Sequence, residues 1–153
     1  MKNPKIGDIV EIPLSMGFAY AQYTHKHPQY GALLRVYDCI FPSKQSDVDV
    51  ISSKNLAFSC FLPVSAVLKR GIFGAVSNAN VRGDFQQFPM FRAGIINRET
   101  KKVETWWLWD GQREWRVGNL TPEQRKFPIR GIWNDTYLIE KIEAGWKPET
   151  DQF

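Results

Sequence analysis

Histidine and cysteine are scarce in this chain, with two of each in 153 residues. Cys39 and Cys60 stand in apolar, strand-like runs without a C-x-x-C spacing, so they read as small buried hydrophobes rather than a disulfide framework or a thiolate metal site. The sequence also lacks a glycine-rich phosphate loop, an H-E-x-x-H pair and a G-x-S-x-G elbow, which removes the commonest signatures of nucleotide, zinc-protease and serine-hydrolase chemistry. No apolar run approaches the roughly 20 residues of a membrane-spanning helix. The start, Met1 to Asp8, holds no apolar stretch of signal-peptide length, so the expected location is the cytoplasm, away from membrane. Neither sign of charge dominates, because the net charge is only +4. Residues 92–130 hold nine Lys/Arg against five Asp/Glu, and residues 131–153 hold two against five, so the basic excess is local. That asymmetry favours an acidic partner through steering.

Tryptophan, by contrast, is concentrated. Four of the six fall in the ten residues 106–115, around Asp110-Gly111. Aspartate and glycine both tolerate the positive φ of a two-residue type I′ turn, and β-formers flank them, so a tight hairpin is predicted. Its register would pair Trp109 with Gln112, Leu108 with Arg113, Trp107 with Glu114 and Trp106 with Trp115. The last pair meets where cross-strand side chains come closest. On this reading Trp106 and Trp115 are buried, and Trp107 and Trp109 are partly exposed.

The rest of the chain alternates short β-like runs with turn residues. Strands are predicted over residues 8–14, 18–26, 31–41, 56–62, 72–76, 92–97, 102–109 and 112–117. Residues 43–54 and 78–87 read as polar loops. A two-turn helix fits between Pro63 and Gly71. Thr121 followed by Pro122 and Gln124 forms a capping box for another short helix. Asn134 or Asp135 caps a last helix through Ala144, with Leu138, Ile139 and Ile142 inward and Gly145 as its stop. The predicted class is α+β, mostly antiparallel β, with seven to eight short strands in meanders that a barrel-like or strongly bent sheet would accommodate, and two or three short helices. Residues 1–153 form one domain on this reading, long enough to bury an ordinary core.

Candidate chemistry is sparse. His25 and His27, two apart on a strand, share a face about 7 Å apart. A metal there would need Glu11 or Asp38 as well, and two exposed polar residues before Pro28 are the simpler reading. Hydrolysis through the two histidines is a third, weaker possibility. Nothing in the sequence activates either thiol. Arg82-Gly83-Asp84 is a loop tripeptide used for adhesion elsewhere, with no receptor to meet in the cytoplasm. No catalytic residue, metal or cofactor is therefore assigned. The aromatic and basic residues Tyr20, Tyr23, Trp107, Trp109, Arg113 and Arg116 suggest an alternative, a β-rich module stacking single-stranded nucleic acid. Its basic bias is weaker than such modules usually show.

The segment Lys5 to Leu14, K-I-G-D-I-V-E-I-P-L, followed by Gly17-Phe18-Ala19-Tyr20-Ala21-Gln22 and the apolar run 33–41, resembles the immunity protein 26 family of bacterial polymorphic toxin systems. Gly71, Pro89, the tryptophan-rich segment, Leu120 and Glu123 extend the likeness, although Phe73 stands where that pattern has tryptophan. The resemblance implies a non-catalytic protein, a monomer or small homo-oligomer, that protects its own cell by binding and blocking a cognate protein toxin. It supplies no contact residues. Because interface hot spots favour Trp, Tyr and Arg, the residues expected at the partner surface are Trp107, Trp109, Gln112, Arg113, Tyr20 and Tyr23.

Overall fold

The structure is a computed structural model that describes residues 3–153. Met1 and Lys2, which begin the segment behind the cytoplasmic expectation, lie outside the described residues. Where the sequence suggests one domain, the chain gathers into two compact units, one of residues up to 87 with 131–145, the other of 88–130 with 146–153. The class is α+β, with eight mostly antiparallel strands in two open sheets and four short α-helices among the described residues.

The first unit is built on β1 (Asp8–Leu14), β2 (Gly17–His27), β3 (Gly31–Tyr37), β4 (Leu56–Phe61) and β5 (Gly74–Asn78), in the order β4-β3-β2-β1-β5. The sequence predicts the first three as a meander, and they are one. Along the central strands, Val10, Ile12, Ala19, Ala21, Leu34 and Val36 are buried on one face. The opposite face carries Ile9, Tyr20 and Tyr37, which pack with Ile51 and Phe85.

Those last two side chains come from segments that read as polar loops. α1 (Val48–Ser52) is capped by Asp47, whose carboxylate accepts from the amides of Asp49 and Val50, and it buries Ile51. α3 (Gly83–Gln86) buries Phe85. Each helix is about one turn long with a single core residue, too short for a 3.6-residue period to show. α2 (Val64–Lys69) and α4 (Asp135–Glu143) match their sequence signals. Asn134 caps α4 by accepting from the Tyr137 amide at 2.7 Å, Leu138 is fully buried, and Gly145 takes φ +67° just beyond the end.

A β-bulge between Tyr23 and His25 breaks the alternation of β2. It turns His25 onto the face that carries Arg35, alongside Thr24. Arg35 is buried, and its guanidinium donates to Thr24 Oγ1 (3.4 Å), Ser59 Oγ (3.3 Å), and the carbonyls of Phe85 (3.4 Å) and Gln87 (2.5 Å).

The second unit is a three-stranded antiparallel sheet in the order β6 (Phe91–Ile96), β7 (Val103–Trp109), β8 (Glu114–Gly118). The predicted hairpin joins β7 to β8, but with a different register. Trp109 pairs with Glu114, Leu108 with Trp115 and Trp107 with Arg116, while Trp106 lies opposite Gly118 beyond a bulge. The loop therefore has four residues rather than two. Asp110 closes it: its carboxylate accepts from the amides of Gln112 (2.9 Å) and Arg113 (2.7 Å), and its own amide donates to the Arg113 carbonyl (3.1 Å). Gly111 takes φ +102° there.

At the other end of the sheet, β6 and β7 cross closely. A Cβ on Gly94 would overlap Val103 Cγ1 and lie 3.2 Å from the Thr105 carbonyl oxygen. Arg92, on the same face of β6 as Gly94, is fully buried with its guanidinium 4.9 Å from the Trp106 ring, and it donates to the Pro148 carbonyl at 2.6 Å. The Thr121 capping box forms as predicted, with Gln124 N donating to Thr121 Oγ1 (3.2 Å) and Thr121 N to Gln124 Oε1 (3.0 Å), although the turn it starts is 3₁₀.

Gly94→Ala is expected to cost about 1–3 kcal/mol by overpacking. Val103→Ala in the same chain should restore part of it, as read from urea unfolding of the single and double variants.

Candidate functional site

The second unit carries a groove of about 600 Å³ on one face of its sheet. Its floor follows from strand alternation: Ala93 and Trp107 are cross-strand partners, and Ile95 and Thr105 continue the same rows. Ile129 and the ion pair of Arg130 with Glu114 (2.8 Å) form one wall, and Asn97 with Glu104, hydrogen-bonded at 2.9 Å, the other end. Arg130 is held further by the face of Trp109, 5.4 Å from the ring centre. Ile95 is 90% exposed and Trp107 38% exposed, both large apolar side chains at an open surface.

The six residues expected at a partner surface are not brought together. Trp107 lines the groove, and Gln112 and Arg113 are exposed in the neighbouring hairpin loop. Trp109 is buried at 5%, under Phe91 and Phe88 with ring centres 5.3 and 5.8 Å away. Tyr20 and Tyr23 belong to the first unit and are 0% and 6% exposed. Tyr20 donates to Glu11 Oε2 at 2.9 Å and accepts from the Gln45 amide at 2.7 Å, and burial raises its pKa.

The predicted fates of the tryptophans are thus corrected in two cases. Trp106 is buried as predicted and Trp107 is exposed as predicted, but Trp115 is 38% exposed and Trp109 is not. The displacement of the register by two residues preserves which face each indole occupies, so facing does not explain the exchange. Position does: Trp115 lies on the edge strand β8, whereas Trp109 ends β7 beneath the Phe88–Phe91 pair.

Sequence reasoning missed Ile95, Ile129, Glu114 and Arg130 as groove residues. One signal was present, since Gly94-Ile95-Ile96 sets two isoleucines side by side on a strand, where alternation must turn one outward.

Both half-buried histidines are hydrogen-bonded within the first unit. His25 Nε2 donates to the Gln86 carbonyl at 2.8 Å, which leaves Nδ1 to accept from Thr24 Oγ1 at 2.9 Å in the neutral ring. Burial lowers the His25 pKa. His27 Nδ1 accepts from the amides of Gln29 and Tyr30, closing the β2–β3 turn. Among the described residues no group of three His, Cys, Asp or Glu side chains is placed to hold a metal ion. Cys60 is buried, and burial pushes its thiol pKa up, away from the reactive thiolate. Arg82 and Asp84 of the adhesion-like tripeptide pair with each other (2.6 and 3.0 Å), and Arg82 also donates to the carbonyls of Ser52 and Lys54.

No family model, no curated protein and no solved structure matches this chain.

Two outcomes test this layout. Trp109→Ala is expected to cost about 3–5 kcal/mol, as for a large buried ring, whereas Trp107→Ala should cost less than about 1, both by denaturant unfolding. For His25 the unfolded chain takes up a proton first as pH falls through about 6.5, so stability is unaffected above that value and falls on acidification toward the lowered folded-state pKa. His25→Gln should flatten the loss of unfolding free energy between pH 7.5 and 5.

Proposed function

We propose that this protein is a binding inhibitor that protects its cell by blocking a cognate protein toxin, with the groove of the second unit as the contact surface. The observation that carries the reading is that two large exposed apolar side chains, Trp107 at 38% and Ile95 at 90%, line one groove. A blocking protein needs no chemistry of its own, only a pre-formed surface with an aromatic or aliphatic anchor and a polar rim. Ala93, Ile95, Trp107 and Ile129 supply the apolar centre, and the Arg130–Glu114 pair and Asn97 the rim. The likeness of residues 5–22 to the start of an immunity-protein pattern supports the same reading from a different part of the chain.

The surface also suits fast capture. Arg98, Lys101, Arg113 and Arg116 are exposed, and among the described residues none lies within ion-pair distance of a carboxylate. Exposed cations beside a binding surface steer an acidic partner and speed association. Stacking of single-stranded nucleic acid finds less support, because Tyr20, Tyr23 and Trp109 are buried.

Co-expression with the product of the adjacent gene tests the proposal. The expected result is survival of the cell and a co-purifying 1:1 complex, with Trp107→Ala weakening the complex by about 30-fold, the ~2 kcal/mol of an interface hot spot. Continued toxicity in the presence of the folded wild-type chain overturns it.

A further inference from the structure

At one end of the groove the sheet already holds a cation. Trp107 and Trp109 stand two residues apart on one face of β7. The guanidinium of Arg130 lies 5.4 Å from the ring centre of Trp109 and donates to Glu114 at 2.8 Å, so an indole face and a carboxylate share one positive charge. Trp107 is the more exposed ring, at 38% against 5%, and among the described residues no cation lies over its face.

A second carboxylate enters the groove through a bulge. Gly94 pairs with Trp106 and Ile96 with Val103, so Glu104 and Thr105 together oppose the single residue Ile95. Strict alternation from Thr105 and Trp107 would turn Glu104 to the other face. The extra residue brings it round, and Ile95, Glu104, Thr105 and Trp107 line the groove together. Asn97 then fixes the carboxylate: its Nδ2 donates to Glu104 Oε1 at 2.9 Å, while its Oδ1 accepts from the amides of Glu99 (2.8 Å) and Thr100 (3.2 Å). That donor is neutral, and among the described residues no cation lies within ion-pair distance of Glu104. Lys102, two residues away, donates to the Gln152 carbonyl instead, and Arg116, the neighbour of Trp107 on β8, stands outside the groove lining.

We propose that the groove receives an arginine side chain of the partner protein, its guanidinium against the face of Trp107 and paired with Glu104. The inference rests on the blocking function proposed above and names what the surface takes from its partner. The sign of the occupant follows from the lining, where Glu104 and Glu114 stand against Arg130 alone and Arg130 is already matched by Glu114. Arginine rather than lysine follows from shape. A planar guanidinium stacks on an indole and hydrogen-bonds a carboxylate at the same time, as Arg130 does on Trp109. The methylene stem of the entering residue meets Ile95 and Ile129 on the way in. The demand is local, so an acidic partner steered by the exposed cations meets it with one arginine.

The test uses the full chain, isotopically labelled, titrated to millimolar concentration with a short capped peptide that carries arginine between two leucines. The same peptide with lysine, or with citrulline, the uncharged isostere of arginine, is the comparison. Expected are shifts of the Trp107 indole and the Ile95 and Glu104 amides, with the arginine peptide bound about tenfold tighter than the citrulline peptide at low salt and the gap shrinking as salt is added. The lysine peptide should fall between them. Glu104→Gln keeps an acceptor for Asn97 and should bring the arginine peptide down to the citrulline level while leaving citrulline binding unchanged, which a merely structural role would not do. Trp107→Ala should weaken all three peptides. Equal binding of the arginine and citrulline peptides, binding of none, or shifts confined to other strands overturns the proposal. So does a free protein that sediments as a dimer dispersed by Ile95→Asp, because the occupant is then a second copy. If Glu104→Gln binds the adjacent gene's product as tightly as the wild type, the arginine contact fails while blocking stands. If the wild type does not rescue the cell, blocking fails and the peptide titration alone decides the groove.

Discussion

A guanidinium sealed from water must find oxygen on every side, and Arg35 imposes that requirement on the first unit. Its acceptors come from β2, from β4 and from the end of α3, so the cation fixes where a one-turn helix docks on the sheet. No carboxylate takes part in those hydrogen bonds. Burial lowers the Arg35 pKa to about 10, which leaves it charged throughout the physiological range. The Phe85 ring lies against Arg35 at 5.5 Å and against Arg82 at 4.0 Å, so the aromatic side chain that α3 adds to the core is held between two cations. His25 receives the Gln86 carbonyl between the two that Arg35 takes. Three successive carbonyls at the end of α3 are thereby hydrogen-bonded from the sheet.

The second unit repeats the device with less completeness. Arg92 is equally buried, yet it makes one hydrogen bond, to Pro148, while Nε and Nη1 have no partner among the described residues. Its compensation is the face of Trp106, and burial lowers its pKa to about 10 as well. Arg125 donates to the carbonyls of Asp151 and Phe153, and Lys102 to that of Gln152. Three cations thus hold the segment 146–153 by its backbone. Arg98, Lys101, Arg113 and Arg116 are free of such structural duty and stand exposed in the β6–β7 turn, the hairpin loop and β8.

Elements whose information is local were legible in the sequence. β1 runs from Asp8 to Leu14 as the alternation of Val10, Ile12 and Leu14 indicates, and the Asn134 cap, the Gly145 stop and the Thr121 box each depend on a few adjacent residues. Elements that exist through tertiary packing were not. α1 and α3 are single turns justified by Ile51 and Phe85 entering a core assembled from distant strands, and the bulge that reorients His25 has no sequence mark. The site divides in the same way. Trp107 was found from the hairpin pattern, whereas Ile129 and Arg130 reach the groove through a bridge to β6 that spans almost forty positions of chain.

The hairpin loop illustrates a degeneracy in how a sheet encodes itself. Two registers of β7 against β8, one with a two-residue loop and one with four, place every side chain on the same face, because sliding by an even number leaves the pleat unchanged. Hydrophobic patterning is blind to the difference. The carboxylate of Asp110, by collecting the amides of Gln112 and Arg113, breaks the tie. A single solvent-facing side chain at the tip of the loop therefore determines which residue of β8 stands opposite Trp107, and so that Arg116 rather than Glu114 becomes its neighbour across the strand.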